Sequence, residues 1–159
     1  MAKATKRSAG LLMYRTRDAH VQVLLVHPGG PFWASKDQGA WTIPKGEYEG
    51  EEEPLAAAIR EFREETGFEP APPFLRLGTV RQKSGKLVIA WAFRGDCDPR
   101  QLVSNRCTVQ WPPRSGKFLD IPEIDEGRWF PIGMARRFIR SEQLQLLDSL
   151  GDMLLARSE

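Results

Sequence analysis

The sequence of residues 46–68 reads GEYEGEEEPLAAAIREFREETGF, and most predictions for this chain follow from it. The stretch contains eight glutamates in 23 residues, and three of them, Glu61, Glu64 and Glu65, are spaced i, i+3 and i+4. An α-helix advances about 100° per residue, so these three carboxylates fall within about a third of its circumference. The spacing predicts a helix with one strongly acidic face.

An apolar stripe runs along the neighbouring side of the same predicted helix, and its members recur at the spacing of a core-facing side: Leu55, Ala58, Ile59, Phe62 and Thr66. Pro54 suits the first turn of a helix, and Gly67 suits the position just beyond its end. Like charges at helical spacing repel each other, so the acidic face needs a counter-charge. Hard divalent cations, which prefer oxygen ligands, are the obvious candidates.

The spacing of particular residue types within this stretch carries a family resemblance. Five residues separate Gly46 from Glu52, and seven residues separate Glu52 from Arg60-Glu61-Phe62. Glu64-Glu65 and Gly67-Phe68 follow, each after one further residue. This pattern resembles the complete Nudix box, with no departure at any defining position. A solvated acidic helix is the plainer interpretation of a charge run, but random acidity would not also place the arginine and both glycines correctly.

The resemblance implies both a fold and a reaction. It implies an α/β/α sandwich with a mixed sheet, formed by a single domain over residues 1–159. Nudix enzymes hydrolyse a nucleoside diphosphate linked to another moiety, and divalent metals screen the phosphates and lower the pKa of a bound water. We therefore expect a Mg²⁺-dependent pyrophosphohydrolase of a nucleoside or dinucleoside polyphosphate, with Mn²⁺ as an alternative metal.

The resemblance also implies which residues carry the reaction. The expected metal ligands are Glu61, Glu64 and Glu65, together with a backbone carbonyl near Lys45 and Gly46. A glycine at position 46 lets that backbone come close without a side chain in the way. Arg60 is a fixed cation and cannot bind a metal, so we expect it to pair with a box glutamate and hold its carboxylate in orientation.

Two assignments around the box stay open. Glu52 is expected outside direct metal contact, as a supporting group, an outer ligand or a favourable charge at the helix N-terminus. The general base is either Glu64 or Glu65 or one of three acids further along the chain: Glu123, Asp125 and Glu126.

Aromatic and basic residues upstream of the box are candidates for substrate binding. A nucleotide base stacks on an aromatic ring, and Trp33 lies in a glycine- and proline-containing loop just before the box. Burial in the core is the competing interpretation for this tryptophan. Lys36 in the same loop and Lys45 are candidates for phosphate contacts.

Residues 82–86 contain neither the proline that marks ADP-ribose preference in the family nor the tyrosine that marks dinucleoside polyphosphate preference. The general pattern is nevertheless similar to diadenosine polyphosphate hydrolases and nucleotide-cleansing enzymes. The alternatives are a hydrolase of the 5′ end of RNA, a non-catalytic nucleotide-binding regulatory module and a purely structural domain. Intact box glutamates argue against the last two.

The whole chain reads as an ordinary soluble domain. Hydrophobic residues make up 41% of the 159 residues, charged residues 28%, and the net charge of +2 is too small to indicate a nucleic-acid partner. Two cysteines do not form a disulfide framework, and no apolar run is long enough to span a membrane. We expect a cytoplasmic enzyme with a small-molecule nucleotide substrate, as a monomer or a homodimer. A basic cluster at Arg136, Arg137 and Arg140 is either a solvated helix face or a neighbour of a polyphosphate.

The remaining periodicities predict strand pairs around the central helix and helices at the end. Strands are expected at residues 8–15, 21–27, 41–43, 75–82, 86–93, 107–111 and 128–131. Loops are expected at residues 28–39, 46–53 and 112–127. Helices are expected at residues 133–140 and 142–157.

Overall fold

Two long strands rich in aliphatic residues form the first hairpin of the structure, a computed structural model that describes residues 6–157. They are β1 (Arg7–Arg17) and β2 (His20–Pro28), and they pair in antiparallel fashion. Asp18 and Ala19 connect them with φ angles of 52° and 65°. Positive φ at both central residues is the geometry of a two-residue turn that follows the twist of the strands. The predicted hairpin is confirmed. Residues 1–5 and 158–159 of the predicted domain lie outside the described residues.

A mixed sheet of six strands forms the middle layer. The strands and helices that follow the first hairpin are β3 (Lys45–Tyr48), α1 (Pro54–Thr66), β4 (Leu75–Arg81), β5 (Leu87–Arg94), β6 (Arg106–Gln110), β7 (Phe118–Pro122), β8 (Ile124–Pro131), α2 (Ile132–Phe138) and α3 (Leu144–Arg157). The strand order of the sheet is β4-β5-β1-β2-β8, and β3 also pairs with β1. The β1–β5 pair is parallel and the other pairs are antiparallel.

Alternate residues of the central strands pack on opposite faces of the sheet, as the two-residue period of a strand requires. On one face Leu11 and Leu24 pack with Phe62 of α1 in one core cluster. On the other face Leu12 and Leu25 pack with residues of α2 and α3 in a second cluster. The molecule is therefore an α/β/α sandwich, as expected. None of the helices within residues 6–157 is long and apolar enough to cross a membrane.

One edge of β1 is shared between two partners. Residues 14–17 of β1 pair with β2, whereas residues 7–10 pair with β3. The chain enters β3 at this division, where the backbone N–H of Leu11 donates to the carbonyl of Pro44. The predicted strand at residues 41–43 was wrong, since Trp41 and Thr42 form only isolated bridges. The predicted loop at residues 46–53 was wrong at its start, because the free half of β1 offers Lys45–Tyr48 a backbone ladder.

Helix α1 matches its predicted limits and its predicted core-facing stripe. Gly67 ends it in the left-handed region at φ 77° and donates its N–H to the carbonyl of Arg63. Ala58, Phe62 and Thr66 of the stripe are fully buried, and Leu55 and Ile59 are half-buried against the same core cluster. The helix also buries three residues outside the stripe: Ala57, Glu61 and Glu65. The burial of these two carboxylates was not predicted.

The predicted loop at residues 112–127 was wrong. Phe118–Pro122 forms β7, which pairs with β6 in a separate two-stranded ribbon, and β8 begins at Ile124. The predicted strand at residues 107–111 corresponds to β6, whereas β7 begins with three exposed residues and lacks the apolar alternation by which strands are recognised in sequence. The last two helices were predicted correctly, although a short 3₁₀ turn at Ser141–Gln143 precedes α3.

A buried glutamine fastens the 3₁₀ turn before α3 to the segment that leads into β3. The Gln143 Oε1 atom accepts from the backbone N–H of Ile43 at 3.0 Å, and its Nε2 atom donates to the Thr42 hydroxyl at 2.8 Å. The side chain is fully buried. These two bonds connect the helical layer of α3 to the strand that carries Gly46.

Substitution of Gln143 by alanine should lower the free energy of unfolding by about 2–3 kcal/mol, because it leaves a buried backbone N–H without an acceptor. Urea denaturation followed by circular dichroism measures the change. Gln145→Ala, at an exposed position two residues later, is the matched control and should change stability by less than about 0.5 kcal/mol. Equal stabilities of the two variants would contradict the anchoring role.

Candidate active site

The acidic side of α1 faces β3. Glu61 and Glu65 are only 8% and 7% exposed, whereas Glu64 is exposed. Residues four apart lie one above the other on a helix, so the two buried carboxylates share one side. The backbone N–H of Lys45 donates a hydrogen bond of 2.9 Å to Glu65 Oε1. The start of β3 thus holds one of the two buried carboxylates directly.

Gly46 is a point of very close approach between β3 and α1. A Cβ atom at this position would lie 2.0 Å from the carboxylate of Glu61. That distance is far inside van der Waals contact, so any side chain at position 46 would displace the carboxylate. Only glycine therefore fits at position 46 when β3 lies this close to the Glu61 carboxylate of α1.

Arg60 binds three glutamates at once. Its Nε and Nη2 atoms form a two-pronged contact with Glu52 at 2.9 and 3.0 Å. Its Nη1 atom donates to Glu61 at 2.8 Å and lies 3.3 Å from Glu64. A planar guanidinium held on one side by Glu52 fixes the orientation of the carboxylates on its other side. The expected pairing of Arg60 with box glutamates is present, and Glu52 lies behind it.

Burial perturbs the acids of this cluster. It raises the pKa of Glu65 to about 8, although the N–H and the charge of Lys45 oppose the shift. It also raises the pKa of Glu61, against the hydrogen bond from Arg60, and that of Glu123. In each case burial disfavours the charged form of the acid more than its partners stabilise it. The site therefore lacks the positive charge that would keep all of its carboxylates ionised.

A hard divalent cation would supply that missing charge. Within residues 6–157, no three histidine, cysteine, aspartate or glutamate side chains converge closely enough to hold a metal as they stand. Arg60 lies against both Glu61 and Glu64 and keeps these carboxylates occupied. The donors are nevertheless carboxylate oxygens, which Mg²⁺ prefers. In donor chemistry and in charge the cluster fits Mg²⁺, provided that Glu61 and Glu64 turn from Arg60.

A cleft with a volume of about 520 Å³ opens beside the acidic cluster. We call it the cleft. Lys45, Glu65 and Glu123 line one part of it, and aromatic residues line another. The aromatic wall of the cleft is formed by side chains from the loop after β2 and from the end of the β6–β7 ribbon, namely Phe32, Trp33 and Trp111. A pocket with apolar walls and a few charged groups is the usual form of a small-molecule site.

Of the three predicted substrate-binding residues, two line the cleft and one does not. Trp33 and Lys45 line the cleft together. Trp33 is half-buried and belongs to neither core cluster, so its interpretation as a core residue was wrong. The ammonium of Lys36 instead lies 3.5 Å from the centre of the Phe32 ring, and Lys36 does not line the cleft. Its backbone carbonyl contacts the Nε2 atom of His27 at 2.6 Å.

The three candidate bases of the later segment have different neighbours. Asp125 contacts the Nδ1 atom of His27 at 2.9 Å, and Glu126 forms a salt bridge with Arg128. Glu123 lines the cleft. Burial is the main cause of the raised pKa of Glu61 and of Glu65, and the negative charge of Glu123 raises both further. Of the three, the structure brings Glu123 to the acidic cluster. Its place follows from the β6–β7 ribbon, since its backbone N–H donates to Asn105.

Several residues of the cleft have no signal in the sequence analysis. Trp111 was expected only as the end of the strand at residues 107–111, and Arg140 only as part of a basic cluster. Cys107 also lines the cleft, and burial raises the pKa of its thiol. The proline pair after Trp111 is a signal that could have indicated a turn, and hence a hairpin, in the segment predicted as loop.

Comparison with known proteins agrees with this architecture. A family model of the NUDIX domain matches residues 4–150. An RNA pyrophosphohydrolase of Hahella chejuensis is 26% identical over 156 residues, covering 88% of this chain and 94% of that protein.

Two solved structures share the fold. The NUDIX domain of Shewanella oneidensis NrtR complexed with ADP ribose has a TM-score of 0.68 at 19% identity, covering 96% of this chain and 90% of that one. A binary complex of the C. elegans Ap4A hydrolase has a TM-score of 0.68 at 22% identity, covering 94% and 98%. With a family model that spans nearly the whole sequence and a sandwich that carries the box on its central helix, the chain belongs to the NUDIX family of hydrolases.

Proposed function

We propose that the protein is a Mg²⁺-dependent pyrophosphohydrolase that cleaves a nucleoside or dinucleoside polyphosphate by direct attack of water. The proposal covers residues 1–159 as a single domain that acts on a small-molecule nucleotide in the cytoplasm. One observation carries it. Two buried glutamates, Glu61 and Glu65, share one side of α1, and Glu65 lines a cleft that also offers aromatic rings and a lysine.

Glu61, Glu64 and Glu65 would hold the metal, together with a backbone carbonyl near Lys45 and Gly46. When bound, the cation neutralises phosphate oxygens and makes water more acidic. Arg60 does not compete for that role, because it carries no free electron pair for a metal. Its contact with Glu52 would keep the guanidinium beside Glu61 and Glu64 when these carboxylates turn towards the metal.

Lys45 and Trp33 would bind the substrate on either side of the reacting bond. The ammonium of Lys45 lines the cleft and can pair with a phosphate oxygen, while burial lowers its pKa and leaves it poorly solvated. The ring of Trp33 offers a stacking surface for the base. Lys36 lies outside the cleft and would contact only a part of the substrate that extends beyond it.

Glu123 is our choice of general base. It lines the cleft, its pKa is raised by burial, and a base whose pKa approaches the working pH accepts a proton efficiently. Cys107 is the thiol that lines the same cleft, and its raised pKa disfavours the thiolate that covalent catalysis would require. Attack by water, with its proton passing to the Glu123 carboxylate, accounts for these residues.

Hydrolysis of the 5′ end of RNA is the alternative with its own support. The Hahella relative that covers most of both chains is named for that reaction. The bond cleaved and the residues required would be the same, so the two substrates differ only in what lies beyond the cleft. The low net charge of +2 supports the small nucleotide.

Glu65→Gln should lower turnover by at least about 100-fold and weaken the apparent affinity for Mg²⁺, because it neutralises a carboxylate assigned to the metal. Glu123→Gln should lower turnover without changing that affinity. Release of product from a panel of nucleotides, titrated with Mg²⁺ and repeated in excess chelator, measures both effects.

Glu51→Gln, at an exposed position before α1, is the control and should behave like the wild type. Near-normal turnover of Glu65→Gln at saturating Mg²⁺ would exclude the assignment of Glu65. Hydrolysis that persists in excess chelator would exclude the metal mechanism.

Without metal, the protein should lose stability as the pH rises. The pKa of Glu65 is about 8 in the folded protein and near 4.5 when solvated. Between these values the folded state keeps a proton that the unfolded chain releases, so the free energy of unfolding falls by up to about 3 kcal/mol from about pH 5 to about pH 8. Urea denaturation in chelator measures this slope. Glu65→Gln should have a clearly flatter profile, and an unchanged slope would contradict the assignment.

Trp33→Ala should raise KM several-fold with a smaller change in turnover, since stacking stabilises the bound substrate and the transition state alike. Its free energy of unfolding should change little, because the ring lies on the cleft wall. Steady-state kinetics and denaturation of the same variant measure both quantities. An unchanged KM would remove Trp33 from the substrate site.

A further inference from the structure

A second depression lies beside the cleft and is strongly basic. It has a volume of about 370 Å³ and is formed by the end of α2, the segment that follows it and the turn between β4 and β5. We call it the basic groove. Its charged lining residues are Lys83, Arg136, Arg137 and Arg140, with Glu142 as the one carboxylate among the lining residues. The cluster of arginines seen in the sequence is therefore part of a concave surface.

The basic groove is continuous with the cleft. Trp33 and Arg140 line both. The guanidinium of Arg140 lies 5.1 Å from the centre of the Trp33 ring, so the two side chains form the boundary between the depressions. Backbone hydrogen bonds hold this boundary, because the N–H of Arg140 donates to the carbonyl of Trp41 at 2.8 Å. A ligand that fills the cleft can therefore extend past Arg140 into the basic groove.

Part of the positive charge in the basic groove is not neutralised by the protein. Arg136 is paired with Asp148. Across residues 6–157, by contrast, Lys83, Arg137 and Arg140 form no salt bridge with a carboxylate. The charge of Glu142 acts on Lys83 and Arg140, but one carboxylate does not balance three cations, so the concave surface stays positive and attracts anions.

A comparison within the molecule shows that arginines alone do not make such a surface. Another depression contains Arg15, Arg17 and Arg100, but Asp96 binds the first two at 2.7 and 2.9 Å, and Asp98 binds the third at 3.0 Å. There the protein supplies the counter-charge itself. In the basic groove Asp148 and Glu142 supply only part of the counter-charge, and an anionic ligand can supply the rest.

We propose that the basic groove binds a phosphate of the substrate that lies beyond the anhydride bond cleaved in the cleft. Trp33 is the only aromatic residue among the described residues that line it, so the groove suits phosphate oxygens better than a second base. The phosphate belongs either to the polyphosphate chain of a dinucleoside polyphosphate or to the first phosphodiester of a 5′-phosphorylated RNA. This inference rests on the proposed function, and it makes an extended nucleotide the preferred substrate.

The double variant Lys83→Ala/Arg137→Ala tests the proposal, because both side chains are exposed and neither lines the cleft. With Mg²⁺ present, kcat/KM is measured for a nucleoside triphosphate, a dinucleoside tetraphosphate and a 5′-triphosphorylated oligoribonucleotide. We expect a loss of about tenfold, mainly in KM, for an extended substrate and no change for the triphosphate. A loss confined to the dinucleotide identifies the polyphosphate chain as the ligand, and a loss confined to the oligonucleotide identifies the phosphodiester.

The matched control is Arg17→Ala/Arg100→Ala, which removes two positive charges from the neutralised depression and should leave all three values unchanged. Equal losses for the three substrates in the groove variant, or no loss for any, would overturn the proposal.

Equilibrium binding separates this proposal from the proposed function. If the wild-type protein hydrolyses none of the three compounds, the proposed function fails, but the groove is still testable by binding of the labelled dinucleotide and oligonucleotide in chelator. Weaker binding of either ligand by the groove variant than by the control variant supports the proposal, and equal binding of both overturns it.

Discussion

The contact between the carboxylates of α1 and the backbone of β3 is the constraint on which the rest of this structure depends. Burying an acid costs free energy unless a partner or a proton compensates it, and here the N–H of Lys45 and the guanidinium of Arg60 compensate only in part. The raised pKa of Glu65 reflects the remainder. The two apolar cores on either face of the sheet must stabilise the fold enough to hold these acids in place.

The division of β1 between two partners explains how the helix and the strand come so close. Because β3 takes only the first half of that edge, the chain before it can leave the sheet and contact the opposite helical layer. Gln143 and Arg140 hold that segment from the other side. The segment between α2 and α3 therefore holds the chain before β3 in place and contributes Arg140 to the cleft, while α1 contributes Glu65.

Charge changes sign along the surface that a nucleotide would follow. Buried carboxylates lie at one part of the cleft, aromatic rings form its wall, and cations that the described residues leave unpaired continue beyond Arg140. A polyphosphate joined to a base has the complementary sequence of groups once a metal neutralises the acids. This order of groups links the proposed reaction with the proposed extension of the substrate.

The sequence by itself determined the position and limits of α1, its acidic face and the sandwich, because these depend on local spacing and on a motif of fixed length. It determined the apolar stripe of α1 but not that Glu61 and Glu65 are buried beside it, since carboxylates at helical spacing give no sign of burial. Only the tertiary structure decided that Glu123, Trp111 and Arg140 meet at one cleft. These residues are brought together by the β6–β7 ribbon and by packing between layers, and contacts between distant segments leave no periodic trace in a single sequence.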